Sequence, residues 1–171
     1  MAINISPAQI RHTDLALIVE EALNKTGLEP GKLELEVTEA IFLQDTDHVG
    51  KTLKALDELG VRLALDDFGT GFSSLSYLKD FRFDRLKIDR SFIRNITKVS
   101  NEQSIAKSVI ALGHGLNMSV LAEGIEEQGQ LDWLIEKGCE FGQGYFFSKP
   151  VEDYMVEKLF ETLGVKQAEK K

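Results

Sequence analysis

The chain has 171 residues, of which 43% are hydrophobic and 28% charged, so it buries a real core and reads as one globular domain rather than a disordered tail. Lys and Arg total 20 against 28 Asp and Glu, a net charge of -8. That balance argues against a polymeric nucleic acid held on a broad basic surface, while a metal-assisted phosphate ligand stays open because a bound cation reverses the local field.

In chain order, residues 2–5 form the first apolar run, with no basic region and apolar core of a secretory signal before it. Residues 14–24 follow as an amphipathic helix carrying Leu15, Leu17, Ile18, Ala22 and Leu23, with Gly27 as its stop. A second strand at 33–37 precedes a helix at 48–59, which carries Val49, Leu53, Leu56 and Leu59 and ends at Gly60. Strands at 62–65 and 85–88 come next, then a helix at 102–113, a strand at 119–122, a helix at 128–137 and a strand at 141–145. A last helix at 152–163 closes a domain spanning 1–165, and 166–171 is a polar tail. The longest stretch without Asp, Glu, Lys or Arg, 108–122, contains Gly113, His114, Gly115, Asn117 and Ser119, so neither a membrane span nor membrane contact is expected. The one cysteine, Cys139, excludes an intrachain disulfide and a cysteine-built zinc site, and suits a reducing compartment.

Six strand-then-helix units imply an α/β fold with a parallel sheet. The sheet is either open and doubly wound or an incomplete TIM-like (β/α) barrel, since complete barrels typically need about 250 residues.

Asn4, Glu36, Asp66 with Asp67, Lys87, Glu123 and Gln143 fall at or near the C-terminal ends of six different predicted strands, where parallel α/β proteins collect their chemistry. Each taken singly has an equal reading as a cap or loop residue. Glu36, Asp66, Asp67 and Glu123 packed together as bare carboxylates would raise one another's pKa until protons or cations intervened. Oxygen ligands of this kind suit Mg²⁺ or Mn²⁺, and two such ions clamp the attacking and leaving oxygens of a phosphoryl displacement. Lys87 adds a positive point charge for a nucleophilic water or a phosphate oxygen. The run from Asp66 through Gly69, Thr70, Gly71 and Phe72 to Ser74 reads as a loop gated by its glycines, not as a dinucleotide fingerprint. Phe68, Phe72, Tyr145 and Phe146 lie near the same end and offer rings to a base. His12, His48 and His114 share no metal-like spacing.

Asn4-Ile5-Ser6-Pro7, Glu34-Leu35-Glu36-Val37-Thr38-Glu39, Asp66-Asp67-Phe68-Gly69-Thr70-Gly71, Lys87-Ile88-Asp89, Ala122-Glu123-Gly124-Ile125-Glu126 and Gln143-Gly144-Tyr145 together resemble the EAL-domain cyclic di-GMP phosphodiesterases, in order, spacing and context up to about Val151. The resemblance implies a bacterial cytoplasmic, TIM-barrel-like domain that hydrolyses cyclic di-GMP to linear pGpG with Mg²⁺ or Mn²⁺ in a two-metal site. It implies Asn4, Glu36, Asp66 and Asp67 as metal ligands and Glu123 as ligand or general base. Lys87 would position the attacking water, Gln143 would support that water, and Glu39 would anchor the loop after Asp66. Glu126 is an acidic neighbour of Glu123, and Gly69 and Phe72 are expected against substrate or behind the ligands.

One departure stands out. The family's Glu-Ala-Leu motif is expected on a strand upstream of Asn4; Glu21-Ala22-Leu23 spells the letters but falls on an amphipathic helix after it. The chain therefore resembles the last six strands of an eight-stranded barrel, with reduced activity expected and with its bare edges covered by a homodimer or swapped assembly. The alternative is an inactive module that binds ligand or protein. A phosphoacceptor receiver domain, prompted by Asp66-Asp67, is disfavoured because its acidic pair should end the first strand.

Overall fold

The computed structural model describes residues 1–43, 46–69, 76–98 and 100–162. Its centre is a six-stranded sheet of β1 (Ala2–Ile5), β2 (Glu34–Thr38), β3 (Arg62–Phe68), β4 (Arg85–Ile88), β5 (Ser119–Ala122) and β6 (Phe141–Gly142), all parallel and adjacent in chain order. A doubly wound sheet reverses direction at a switch point, whereas strands laid down in strict sequence make the arc of a barrel. The order thus selects the incomplete (β/α) barrel, with β1 and β6 at the two ends of the sheet.

Helices α1 (Pro7–His12) and α2 (Leu15–Thr26) follow β1, α3 (Thr46–Glu58) follows β2, and α4 (Ser76–Asp80) follows β3. After β4 come α5 (Arg90–Ile93) and α6 (Asn101–Gly115), after β5 α7 (Gln128–Glu136), and after β6 α8 (Val156–Thr162). Alternate residues of the four middle strands, Leu35 and Val37, Leu63 and Leu65, Leu86 and Ile88, Val120 and Ala122, bury against Ile10, Val19, Val49, Leu53, Leu56, Ala106, Val109 and Leu134 of the helices. The remaining positions face inward and are mostly polar: Glu34 and Glu36, Ala64 and Asp66, Arg85 and Lys87. A period of two therefore separates core from chemistry strand by strand.

Three boundaries differ from expectation. β3 runs on through Asp66 and Asp67 to Phe68, and β6 stops at Gly142, leaving Gln143 beyond the strand. The closing helix is split into a 3₁₀ turn, Asp153–Met155, and α8, and neither buries a side chain. The short α1 lies outside the predicted helices; Ser6 and Gln9 hold it with a reciprocal capping box, Ser6 N–H donating to Gln9 Oε1 at 2.9 Å. Glu21 sits on α2 with its carboxylate 3.7 Å from Lys25 and largely exposed, as an amphipathic helix requires. The polar tail 166–171 lies outside the described residues, and among those described no helix is long and apolar enough to cross a membrane.

Candidate active site

The inward positions of β2, β3, β4 and the end of β5 converge on Lys87. Its Nζ donates to Glu36 Oε2 at 2.6 Å and lies 3.0 Å from Asp66 Oδ1 and 2.8 Å from Glu123 Oε1. Lys87 is 2% exposed. Burial alone would push its ammonium down, but the hydrogen bonds to Glu123, Glu36 and Asp66 outweigh it and hold the lysine above its ordinary range. Ala64, a small inward residue of β3, pairs with Glu36 on one side and with Arg85 on the other.

Asp66 and Asp67 share this space through a bulge that the residue pattern did not announce. Leu65 pairs with Leu86 and Phe68 with Ile88, so two residues of β3 stand opposite Lys87 alone. Asp67 takes a left-handed φ of 55° and its N–H donates to Asp66 Oδ1 at 2.9 Å. Without the extra residue, alternation would aim neighbouring side chains at opposite faces. With it, oxygens of Asp66, Asp67 and Glu123 lie within 4.8 Å of one another. The crowding registers electrostatically. Burial, then Asp66 and Asp89, push the Asp67 carboxyl up against the pull of Lys87 and Arg90. Burial also raises Glu123, with Lys87 opposing and Asp66 and Glu36 adding.

Four carboxylates facing one ammonium make an oxygen donor set that a hard divalent cation fits, and Asp66, Asp67 and Glu123 are the residues that would hold it. Glu36 is turned onto Lys87 instead. Asn4 pairs with Glu36 in the β1–β2 register, but its side chain is exposed.

The other expected residues surround the cluster. Glu39, in the 3₁₀ turn Glu39–Leu43, accepts from the N–H of Gly69 at 3.4 Å, which ties the residue after β3 to the end of β2. Phe72 and Gly71 lie outside the described residues, whereas Phe68 is buried in the core and so is removed from any base. Gln143 and Glu126 do not join the Lys87 cluster; with Arg90, Glu123, Gly124, Gly144 and Tyr145 they line a cavity of about 220 Å³ beside it.

Two supports went unread in the sequence. Arg90 enters that cavity directly after Lys87-Ile88-Asp89. Gln130 is buried on α7, and its Oε1 accepts from the N–H of Glu126 at 2.7 Å and of Glu127 at 3.0 Å, pinning the loop that carries Glu123. Only the capping-box spacing of Glu127 and Gln130 signals it. Gly124 has a φ of 70°, and a Cβ there would stand 2.5 Å from Cβ of Arg90, so this turn requires glycine.

Known proteins resemble this chain in sequence and in fold. The EAL domain family matches residues 1–150. The signaling protein YkoW of Bacillus subtilis is 47% identical over 163 residues, 92% of this chain and 20% of the relative. The cyclic di-GMP phosphodiesterase NbdA of Pseudomonas aeruginosa is 43% identical over 151 residues, 88% of this chain and 19% of the relative. The chain thus spans about a fifth of the length of these curated relatives. Among solved structures, the PaMucR phosphodiesterase in complex with c-di-GMP superposes with a TM-score of 0.86 at 39% identity, covering 91% of this chain and 63% of that one. Klebsiella pneumoniae BlrP1 in a manganese and cy-diGMP complex superposes with a TM-score of 0.80 at 37% identity, covering 87% of this chain and 38% of that one.

Proposed function

The chain belongs to the EAL domain family, and from that premise we propose that it is built for metal-dependent hydrolysis of cyclic di-GMP to linear pGpG. The observation that carries this reading is the buried Lys87 held by Glu36, Asp66 and Glu123 beside the Asp66, Asp67 and Glu123 oxygens. Relatives named as cyclic di-GMP phosphodiesterases and a neighbour that binds manganese with the dinucleotide support it.

Asp66 and Asp67 would hold one Mg²⁺ or Mn²⁺ with Glu123 beside it as ligand or as base, and Glu36, on turning away from Lys87, would serve a second with Asn4, its register partner. Such ions supply charge stabilisation for the attacking and leaving oxygens. Lys87 has its three N–H donors engaged by Glu36, Asp66 and Glu123. It therefore aims a water only when one of those carboxylates turns to other work. In the reaction a water oxygen bonds to phosphorus and its proton passes to Glu123, while the bond from phosphorus to the 3′-oxygen breaks and that oxygen takes a proton from solvent. Gln143 supports the water from the adjoining cavity, Glu126 stands in the same cavity as a further acidic neighbour, and Glu39 restrains Gly69 after β3 through its backbone N–H. A bacterial cytoplasmic setting goes with this substrate and with a single free cysteine.

The test is incubation of this chain with cyclic di-GMP and Mn²⁺ or Mg²⁺, following pGpG by chromatography, with Glu36→Ala as control. Turnover lost in the variant supports the reading; a folded chain without turnover moves the weight to a second one. That second reading, a module that binds ligand or protein without turnover, is favoured by Phe141, Tyr145, Phe146 and Phe147, all exposed at the β6 end of the sheet. A homodimer or swapped assembly covering β1 and β6 belongs to either reading, and light scattering tests it.

A further inference from the structure

We propose that Arg85 is a positioning residue that holds β6, and with it Gln143, in place against the strands bearing the Lys87 cluster. The inference rests on the phosphodiesterase reading only for its effect on turnover.

Arg85 stands two residues before Lys87 on the inward face of β4, one level deeper in the sheet. Its Nη1 lies 3.4 Å from Oε1 of Glu34, itself two residues before Glu36, and both side chains are largely buried, 13% and 6% exposed. The Arg85–Glu34 pair thus repeats, below the site, the β2-to-β4 reach of Glu36 and Lys87. Arg85 Nε donates to Ser119 Oγ of β5 at 3.3 Å, and that hydroxyl donates to Asp84 O at 3.1 Å. The guanidinium carbon lies 4.2 Å from the centroid of the Phe141 ring on β6. A planar guanidinium stacks with its face while donating from its edge, so one side chain engages β2, β5 and β6 together; a lysine would do less.

β6 depends on such a contact more than the other strands do. It pairs with β5 at Leu121 with Phe141 and Ala122 with Gly142, and among the described residues no strand pairs with its other side. Gln143 follows at once, its N–H donating to Ala122 O at 2.9 Å and its carbonyl accepting from Ile125 N–H at 3.1 Å. Phe141 and Gln143 are two residues apart, so the ring that rests on Arg85 sets the height and rotation from which Gln143 enters the cavity beside Glu123.

Amide hydrogen exchange of the full chain carrying Glu34→Gln, compared with the same chain carrying Arg85→Met as well, tests this, because Arg85→Met alone would strand the buried Glu34 carboxylate. The Gln143 and Ile125 amides are expected to exchange about tenfold faster while the Leu65 and Leu86 amides stay as they were, and kcat should fall with KM unchanged. Arg85→Lys should restore part of the protection, and adding Phe141→Leu to Arg85→Met should change nothing further. Unchanged exchange at Gln143, or equal acceleration at Leu86, overturns the proposal. Phe141→Leu alone, at a half-exposed ring, carries the same comparison if Arg85→Met fails to fold. A wild-type chain without turnover would refute the phosphodiesterase reading and leave the exchange result to decide the role of Arg85.

Discussion

The middle strands and the end strands of this sheet treat their polar residues differently. On β2, β3 and β4 the side chains of Glu36, Asp66 and Lys87 are buried and bonded to one another, whereas Asn4 on β1 and Gln143 after β6 are exposed. The residue types at all five positions suit one reaction, so type alone does not decide placement. A strand with neighbours on both sides has its side chains aimed by two ladders, and long polar groups of alternate strands meet, as Glu36 and Lys87 do. A strand at the end of the sheet has one ladder, and its inward residue takes its position from isolated contacts.

The sharpest way to break that contrast is at the middle. Lys87→Met leaves Glu36 and Asp66 buried and uncompensated, which should destabilise the fold by about 3–5 kcal/mol in urea unfolding. Added Mg²⁺ should recover part of the loss; recovery of none would contradict a cation shared by these carboxylates. Asp66→Asn removes a carboxylate that, like Glu123, belongs to both the lysine cluster and the three-oxygen group, and pGpG formation should fall at least about 100-fold. Unchanged turnover would sink the metal assignment. Gly124→Ala forces a Cβ against Arg90 in a left-handed turn, with an expected loss of about 1–3 kcal/mol by thermal unfolding.

Much of this was legible because two periods coincide in the chain. Alternation along β2, β4 and β5 marks both the apolar face and the polar positions, so the strands and Glu36, Lys87 and Glu123 are found together. Glycine stops at Gly27 and Gly60 mark helix ends. What stayed hidden was whatever alternation does not govern. The bulge at Asp66 and Asp67 depends on a register shift against β4, a property of two strands rather than one. Likewise, α1 has a single buried side chain, Ile10, and so no apolar stripe; its capping box was the usable signal. Arg85 acts through partners far away in the chain, Glu34 among them, and no local pattern marks it, while Gln130 is marked by its capping-box spacing from Glu127 alone.

The end of the sheet offers the reverse test. Gln143→Ala should leave stability within about 0.5 kcal/mol, as for other exposed side chains, yet lower kcat by about tenfold or more if it supports the water. A large stability loss would mean that its side chain, and not its backbone bonds to Ala122 and Ile125, holds the segment.

The smallest expected effect is also the most local. Cys139 precedes β6, with Sγ 3.5 Å from Val120 O and 3.3 Å from Phe141 O. Burial pushes its thiol up from 9.0 to about 11, with Glu140 adding and the backbone contacts opposing. A folded-state pKa above the unfolded one means that the native chain holds the proton more tightly. The contribution is therefore complete below about pH 9 and is lost as pH rises towards about 11. At pH 8, alkylation of folded Cys139 should run about 100-fold slower than in the urea-unfolded chain, and Cys139→Ala should flatten the alkaline decline in stability. Because the thiol is shielded by the start of β6, Arg85→Met in a Glu34→Gln background, where no buried carboxylate is stranded, should speed its alkylation without comparable loss of global stability. Equal rates in the two proteins would mean that the end of the sheet is held by its ladder after all.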